Sequence, residues 1–224
     1  ITDPLTAVSF RDQLNGVAVS IRGDVLKTSD GGANWNTPLG GTLIDFVGLP
    51  LTSAVYLSPD VVTVSGLGGT ILRSTDGGAT WSVQEPGITT AINDLAFIGP
   101  DTGFAVGDYG VILHTTDGGQ HWVSQMTSFP GWFSAVAMLD EATAVAVGTD
   151  GRLVRTSDGG LNWHARPSGT AAELHDVAFA GDTGIAVGIS GTVLVTTDGG
   201  LTWSARDGRT SNTLTGVTIS PSGA

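Results

Sequence analysis

The chain has 224 residues, 34 of them glycine and none cysteine, and only 13% are charged. Nine basic residues against 21 acidic ones leave a net charge of −12, which repels nucleic acid and anionic membrane surfaces. The lack of cysteine excludes a disulfide framework and a thiolate site, and no apolar run approaches the roughly 18 residues of a membrane span.

In chain order, the first elements are two short runs rich in Val and Ala, Leu5–Phe10 and Gly16–Ser20, bounded by Gly or Asp as strands are. A third run leaves Gly23 and ends in Thr28-Ser29-Asp30-Gly31-Gly32-Ala33-Asn34-Trp35; a fourth strand is expected to start at the Trp. Asp-Gly-Gly between strand-like runs is a hairpin signal, because glycine takes positive φ at little steric cost. The Asp carboxylate can accept hydrogen bonds from its own turn, and the indole can fold over it. The stretch Pro38–Pro50 is an insertion, read as an extra strand or an apolar loop.

The same four-strand pattern then repeats. First strands are expected over 52–57, 92–97, 133–138 and 174–179, and second strands over 61–65, 104–107, 144–148 and 185–188. Gly69, Gly110, Gly151 and Gly191 each stand seven residues before a box Asp, as Gly23 does. The box residues Asp30, Asp76, Asp117, Asp158 and Asp198 are each followed five residues later by Trp35, Trp81, Trp122, Trp163 and Trp203, at intervals of 40–46 residues. A period near 40–45 residues with a turn signature marks a β-propeller. The fold expected is therefore all-β, a single propeller over 1–224 built of four-stranded antiparallel blades. Five blades are complete, at about 4–38, 51–86, 91–127, 132–167 and 172–208. Residues 213–220 then match the first strand of a sixth repeat, an extra C-terminal strand with unpaired edges that fits three readings: a piece of a six- or seven-bladed propeller, a strand tucked into this propeller's own ring, or one that pairs with a neighbouring copy.

The pattern resembles the Asp-box repeat, Ser/Thr-x-Asp-x-Gly-x-x-Trp, of sialidases, sortilin-type receptors, some xyloglucan-degrading enzymes and the photosystem II stability/assembly factors. The Asp-Gly-Gly-x-x-Trp form, preceded by Gly-x-x-Gly-x-x-Leu, looks most like the last of these. The resemblance implies the propeller fold over nearly the whole chain, and it spans enzymes, receptors and assembly factors alike. A sialidase would need an arginine triad and a Tyr–Glu pair; the chain has two tyrosines and only Glu85, Glu141 and Glu173.

Positions constant between blades read as scaffold, so the five box Asp and five box Trp residues are taken as structural turns. One Asp per hairpin does not give calcium its six to eight converging oxygens, and no cofactor or metal is expected. The boxes and the loops between first and second strands should share an acidic face. The column Lys27, Arg73, His114 and Arg155 should pair with nearby carboxylates or stack on an indole. The opposite face carries residues that vary from blade to blade, which is where a specific site is built. Its ligand-binding candidates are Arg22, Asp108, Tyr109, Phe129, Trp132, Asp150, Arg166 and Arg206, a mixture of aromatics, arginines and acids suited to a protein or a sugar. The stretch Met126–Trp132 is a second special loop.

The function expected is a non-catalytic, exported structural or protein-interaction module, with self-assembly through its terminal strand as one route. The alternatives are a carbohydrate-binding or glycoside-hydrolase propeller and a photosystem II assembly factor-like protein. Its partner would be a protein, copies of itself included, or a glycan, and neither nucleic acid nor a membrane. An extracellular or cell-surface setting is expected from a start at Ile1 and from a composition with one lysine and abundant Ser, Thr and Gly.

Overall fold

The computed structural model describes residues 3–37, 49–125 and 129–220, so most of the Pro38–Pro50 insertion and the start of the Met126–Trp132 loop lie outside the described residues. The architecture is a β-propeller of successive antiparallel sheets, each formed by strands adjacent in sequence. The first sheet holds β1 (Leu5–Phe10), β2 (Gly16–Ser20) and β3 (Val25–Thr28). The second holds β4 (Leu51–Tyr56), β5 (Val62–Gly66), β6 (Ile71–Ser74) and β7 (Ser82–Gln84). The third holds β8 (Ile92–Ile98), β9 (Thr102–Gly107), β10 (Ile112–Thr115) and β11 (Val123–Ser124). The fourth holds β12 (Phe133–Met138), β13 (Ala144–Gly148), β14 (Leu153–Thr156) and β15 (His164–Ala165). The fifth holds β16 (Leu174–Ala180), β17 (Thr183–Gly188), β18 (Val193–Thr196) and β19 (Ser204–Arg206).

Three details differ from expectation. The fourth strand starts one residue after the box Trp, because the indole turns back over the box before the ladder resumes. In blade one that strand shrinks to a single bridge, Lys27 with Asn36, so the sheet has three strands. Residues 213–220 form no strand: a ladder needs a neighbour that offers a matching row of carbonyls. Here the Leu214 N–H reaches Gly188 O at 3.0 Å and the Val217 N–H reaches the Asp176 carboxylate at 2.7 Å.

The chain packs as two compact units, Ile1–Phe104 with Leu113–Ser124, and Ala105–Ile112 with Gln125–Ala224. In the first, Val17, Val19 and Val25 of blade one pack against Leu51, Ala54, Val64 and Leu72 of blade two. In the second, the equivalent Val145, Val147 and Leu153 of blade four pack against Leu174, Val177, Ala186 and Leu194 of blade five. In both of these pairs the earlier blade presents a forward face, set by its second and third strands, that takes the rear face of the next. Full burial of one such aliphatic side chain contributes about 1.5–3 kcal/mol.

The first strand carries a register shift at the same place in four sheets, after Leu5, Leu51, Phe133 and Leu174. A bulge re-aims the residue inside it. In the first unit that residue is a threonine: Thr6 Oγ1 donates to Leu51 O at 2.7 Å and Thr52 Oγ1 to Ile92 O at 2.6 Å, joining each first strand to the next.

Candidate functional site

The five boxes are closed hydrogen-bond circuits. In blade two the Ser74 hydroxyl donates to Asp76 Oδ1 and accepts the Gly78 N–H, while Asp76 Oδ1 accepts the Thr80 N–H and Oδ2 the Thr80 hydroxyl. The residue four after each Asp closes the circuit with its side chain: Asn34, Thr80, His121, Asn162 and Thr202. The sequence reading missed this position, because Asn, Thr and His share a donor but not a shape. Donation from the Thr80 and Thr202 hydroxyls, followed by their N–H groups, holds the carboxyls of Asp76 and Asp198 down to about 2. These carboxylates are engaged within their own turns.

In every blade the N–H of the first box glycine also donates to a carbonyl in the loop between first and second strands, from Gly31 to Leu14 and from Gly199 to Asp182. Both loop types therefore share one face, as expected. Asp12 and Asp140 cap their loops through their carboxylates, whereas Asp101 and Asp182 supply backbone carbonyls to the boxes.

In the basic column, Arg155 lies within electrostatic reach of the Asp140 carboxylate, and two members of the column also reach backbone carbonyls. Arg73 Nε donates to Gly118 O at 2.9 Å and Arg155 Nε to Gly199 O at 2.7 Å, each reaching the box of the following blade. A box turn leaves an outward carbonyl that no strand satisfies, and a long cation from the blade behind can reach it. His114 stacks on Phe104 with ring centroids 4.5 Å apart, and burial pushes its imidazole pKa down. Val195, which lacks a charge, ends the column.

The box Trp residues have a partner that spacing did not reveal. Phe10, Phe97 and Phe179, at the ends of first strands, meet Trp35, Trp122 and Trp203 edge-on at 5.8–5.9 Å. Where that Phe occurs, the facing second-strand residue is Gly16, Gly103 or Gly184, and a Cβ there would strike the ring. The blades with Tyr56 and Met138 instead carry Val62 and Ala144.

The candidate ligand residues divide between the two units. Arg22 lies in the first, where it pairs with Asp3 at 2.9 Å. Asp108, Tyr109, Phe129, Trp132, Asp150, Arg166 and Arg206 all belong to the second. There the turns Asp108–Gly110 and Thr149–Gly151 stand at the ends of second strands. Tyr109, Asp150 and Ser190 take the left-handed conformation at φ 57°, at the repeat position that Gly68 holds in blade two. A residue with a Cβ is strained there by about 1 kcal/mol.

Trp132 is brought together with the Thr149–Gly151 turn. Its N–H donates to Thr149 Oγ1 at 3.2 Å and its carbonyl accepts the Thr149 N–H at 3.1 Å. The Asp108–Gly110 turn packs against β12, which follows directly on Trp132. Arg152, absent from the sequence-derived set, lies against Gly131 with Nη1 3.5 Å from Thr149 Oγ1. Tyr109 is 72% and Trp132 49% exposed, so the patch presents two aromatic rings with an acid and a guanidinium beside them. Arg166 is half-buried with its N–H on Leu153 O, and Arg206 lies on the exposed β19. Among the described residues no three His, Asp or Glu gather as a metal site. A separate cleft of about 350 Å³ lies in blade one against Asp3, Leu5, Leu26 and Trp35.

Comparison with known proteins agrees with this geometry. The family model of photosynthesis system II assembly factor YCF48 matches residues 53–178, more than half of the chain, and that of the BNR/Asp-box repeat matches 194–205. Among curated proteins, none matches the sequence. A solved structure of YCF48 bound to D1 peptide is 18% identical with a TM-score of 0.65, covering 91% of this chain and 81% of that one. YCF48 from Cyanidioschyzon merolae is 20% identical with a TM-score of 0.59, covering 91% and 85%. An ancestral GH74 enzyme is 16% identical with a TM-score of 0.74, and the match covers 92% of this chain but 31% of the enzyme. At these identities the structural likeness concerns the fold.

Proposed function

The chain belongs to the photosynthesis system II assembly factor YCF48 family, and on that premise we propose that it is a non-catalytic module that holds an extended segment of a partner protein against the patch around Tyr109 and Trp132. The observation that carries this reading is Trp132, whose ring is half exposed while its main chain is held by the Thr149 hydroxyl and the Thr149 N–H of the neighbouring turn. An exposed aromatic on a held main chain beside an arginine is the kind of group that anchors a peptide. The relative bound to D1 peptide supports a peptide as the ligand class. The engagement of the box carboxylates within their own turns supports a role without catalysis. The sparse charge supports an exported setting, to be checked by fractionating the source cells.

The test is a titration of the chain with a D1 peptide and, separately, with β-glucan oligosaccharides. Peptide binding weakened at least tenfold by Trp132→Ala, with the fold intact by circular dichroism, is the expected result. Oligosaccharide binding or cleavage at the same patch would move the function to the carbohydrate alternative. No peptide binding would remove the assembly-factor role. A second reading, association between copies of the chain, is favoured by blade one, whose first strand leaves apolar side chains uncovered.

A further inference from the structure

The column that sends Arg73 and Arg155 to the box of the following blade is broken at its first member, Lys27. By the repeat, the carbonyl facing Lys27 is Gly77 O, and the Tyr56 hydroxyl already donates to it at 3.3 Å. Lys27 makes no side-chain hydrogen bond or ion pair among the described residues, yet its Nζ lies 3.6 Å from where a Cβ on Gly77 would stand. A second cation joins it. The residue that follows the last aromatic or Met of the first strand is Leu57, Ile98, Leu139 or Ala180 in the other blades, but Arg11 in blade one. Arg11 Nη1 donates to Pro59 O and lies 3.3 Å from the same point beside Gly77.

Arg11 has donors to spare. Its Nε is buried without a hydrogen bond, 3.4 Å from an Asp12 carboxylate that Leu14 and Asn15 already hold. Its Nη2 has no partner among the described residues. The guanidinium borders a cleft of about 210 Å³ with Phe10, Tyr56, Leu57, Ser58 and Pro59. The Phe10 ring, 44% exposed, gives this cleft an apolar wall. Ser58 Oγ accepts the Val61 N–H at 3.2 Å, which leaves its proton to give. All of these residues belong to the first compact unit.

We propose that this cleft binds a carboxylate carried on a short apolar body, with Arg11 and Lys27 each meeting one oxygen and the Phe10 ring packing on the carbon chain. Charge-assisted bonds of about 2.8 Å from each cation let one carboxylate bridge the pair. The planar guanidinium sets the orientation, and the ammonium adds a point charge. A singly charged group fits better than a phosphate or sulfate dianion, because Asp12, Asp60 and Asp76 stand in the loops around the cleft. The same carboxylate chemistry comes from an acidic side chain of a partner protein or from a free organic acid. The site shares no residue with the patch around Tyr109 and Trp132, which belongs to the second unit, and it stands whether or not that patch binds a peptide.

The experiment is a titration of the full chain, read by amide NMR shifts, with butyrate and, separately, with a short capped peptide holding one glutamate. Butyramide and the glutamine form of the peptide are the neutral counterparts. Both carboxylates should move the amides of Arg11, Ser58 and Gly77 saturably, and neither counterpart should. Arg11→Met should weaken binding about tenfold. Lys27→Met should weaken it about threefold, while Arg206→Met and Trp132→Ala leave it unchanged. The Lys27 side chain makes no bond that its substitution breaks, so that variant keeps the test open if Arg11→Met, which loses the Pro59 contact, fails to fold by circular dichroism. Tighter binding of the peptide assigns the site to a partner's side chain, and equal or tighter binding of butyrate assigns it to free acids; either result upholds a carboxylate site. Equal binding of the neutral counterparts, no saturable shift from either carboxylate, a loss in Arg206→Met as large as in Lys27→Met, or affinity unchanged in Lys27→Met and in any folded Arg11→Met would overturn it.

Discussion

Thr156 has no exposed surface, and its hydroxyl is the hub of the fourth box. It donates to Asp158 Oδ1 at 2.9 Å and accepts the Gly160 N–H at 3.0 Å, with a longer contact from the Asp158 N–H at 3.3 Å. Thr156→Val keeps the shape and makes no cavity, but it leaves the buried Gly160 N–H without an acceptor. An orphaned buried donor costs about 1–3 kcal/mol. Asp158 loses one donor and keeps two from Asn162, at 2.9 Å and 2.8 Å, so its share adds less than about 1 kcal/mol. The expected loss is about 2–3 kcal/mol. Thr156→Ser keeps every hydrogen bond and gives up one methyl, worth about 0.8 kcal/mol; Ser74 fills this role in blade two. Urea denaturation read by far-ultraviolet circular dichroism and by tryptophan fluorescence measures the difference, and coincident curves license a single free energy. At a slope of about 2–3 kcal/mol per molar, the Val variant should unfold roughly 1 M earlier than the parent. If the Val and Ser variants unfold together, the hydroxyl is not what holds the box, and the turn rests on its glycines and indole instead.

Two further outcomes follow from the same geometry. Gly184→Val should drive a side chain into the Phe179 ring and loosen its contact with Trp203, costing about 1–3 kcal/mol, and Phe179→Leu in the same chain should restore part of the loss in a thermal melt. Acid should weaken the boxes. Asp76 has a carboxyl held at about 2 against an ordinary 3.8, so its contribution is complete above pH 3.8 and disappears as pH falls through 2. Asp76→Asn should remove that part of the slope in a stability–pH series, with a loss of roughly 0.5–1 kcal/mol at pH 7 because the group is solvent-screened; an unchanged acid limb would refute the assignment.

The repeat, the hairpin at each Asp-Gly-Gly and the limits of most strands were legible in the sequence because they are local. A glycine at positive φ, an Asp four residues before the N–H it accepts and a run of alternating Val and Ala act within one blade, and the period announces how often. The shared face of boxes and first loops followed from the same local order. What joins one blade to the next was not legible. Arg73 and Arg155 are expected beside carboxylates or indoles, and Arg155 does act on Asp140, but their Nε groups also donate to carbonyls some 45 residues on, and no sequence pattern marks a carbonyl. The pairing of Phe179 with Gly184 shows only when two strands are laid side by side. Residues 213–220 read as a strand because their side chains alternate, but a strand is made by its neighbours, and bonds such as Leu214 N–H to Gly188 O and Val217 N–H to Asp176 form no ladder. Chain-local chemistry thus determined the blades, whereas blade packing decided which residues meet at Trp132 and which carbonyls Arg73 and Arg155 reach, because both depend on surfaces that exist only after the sheets have formed.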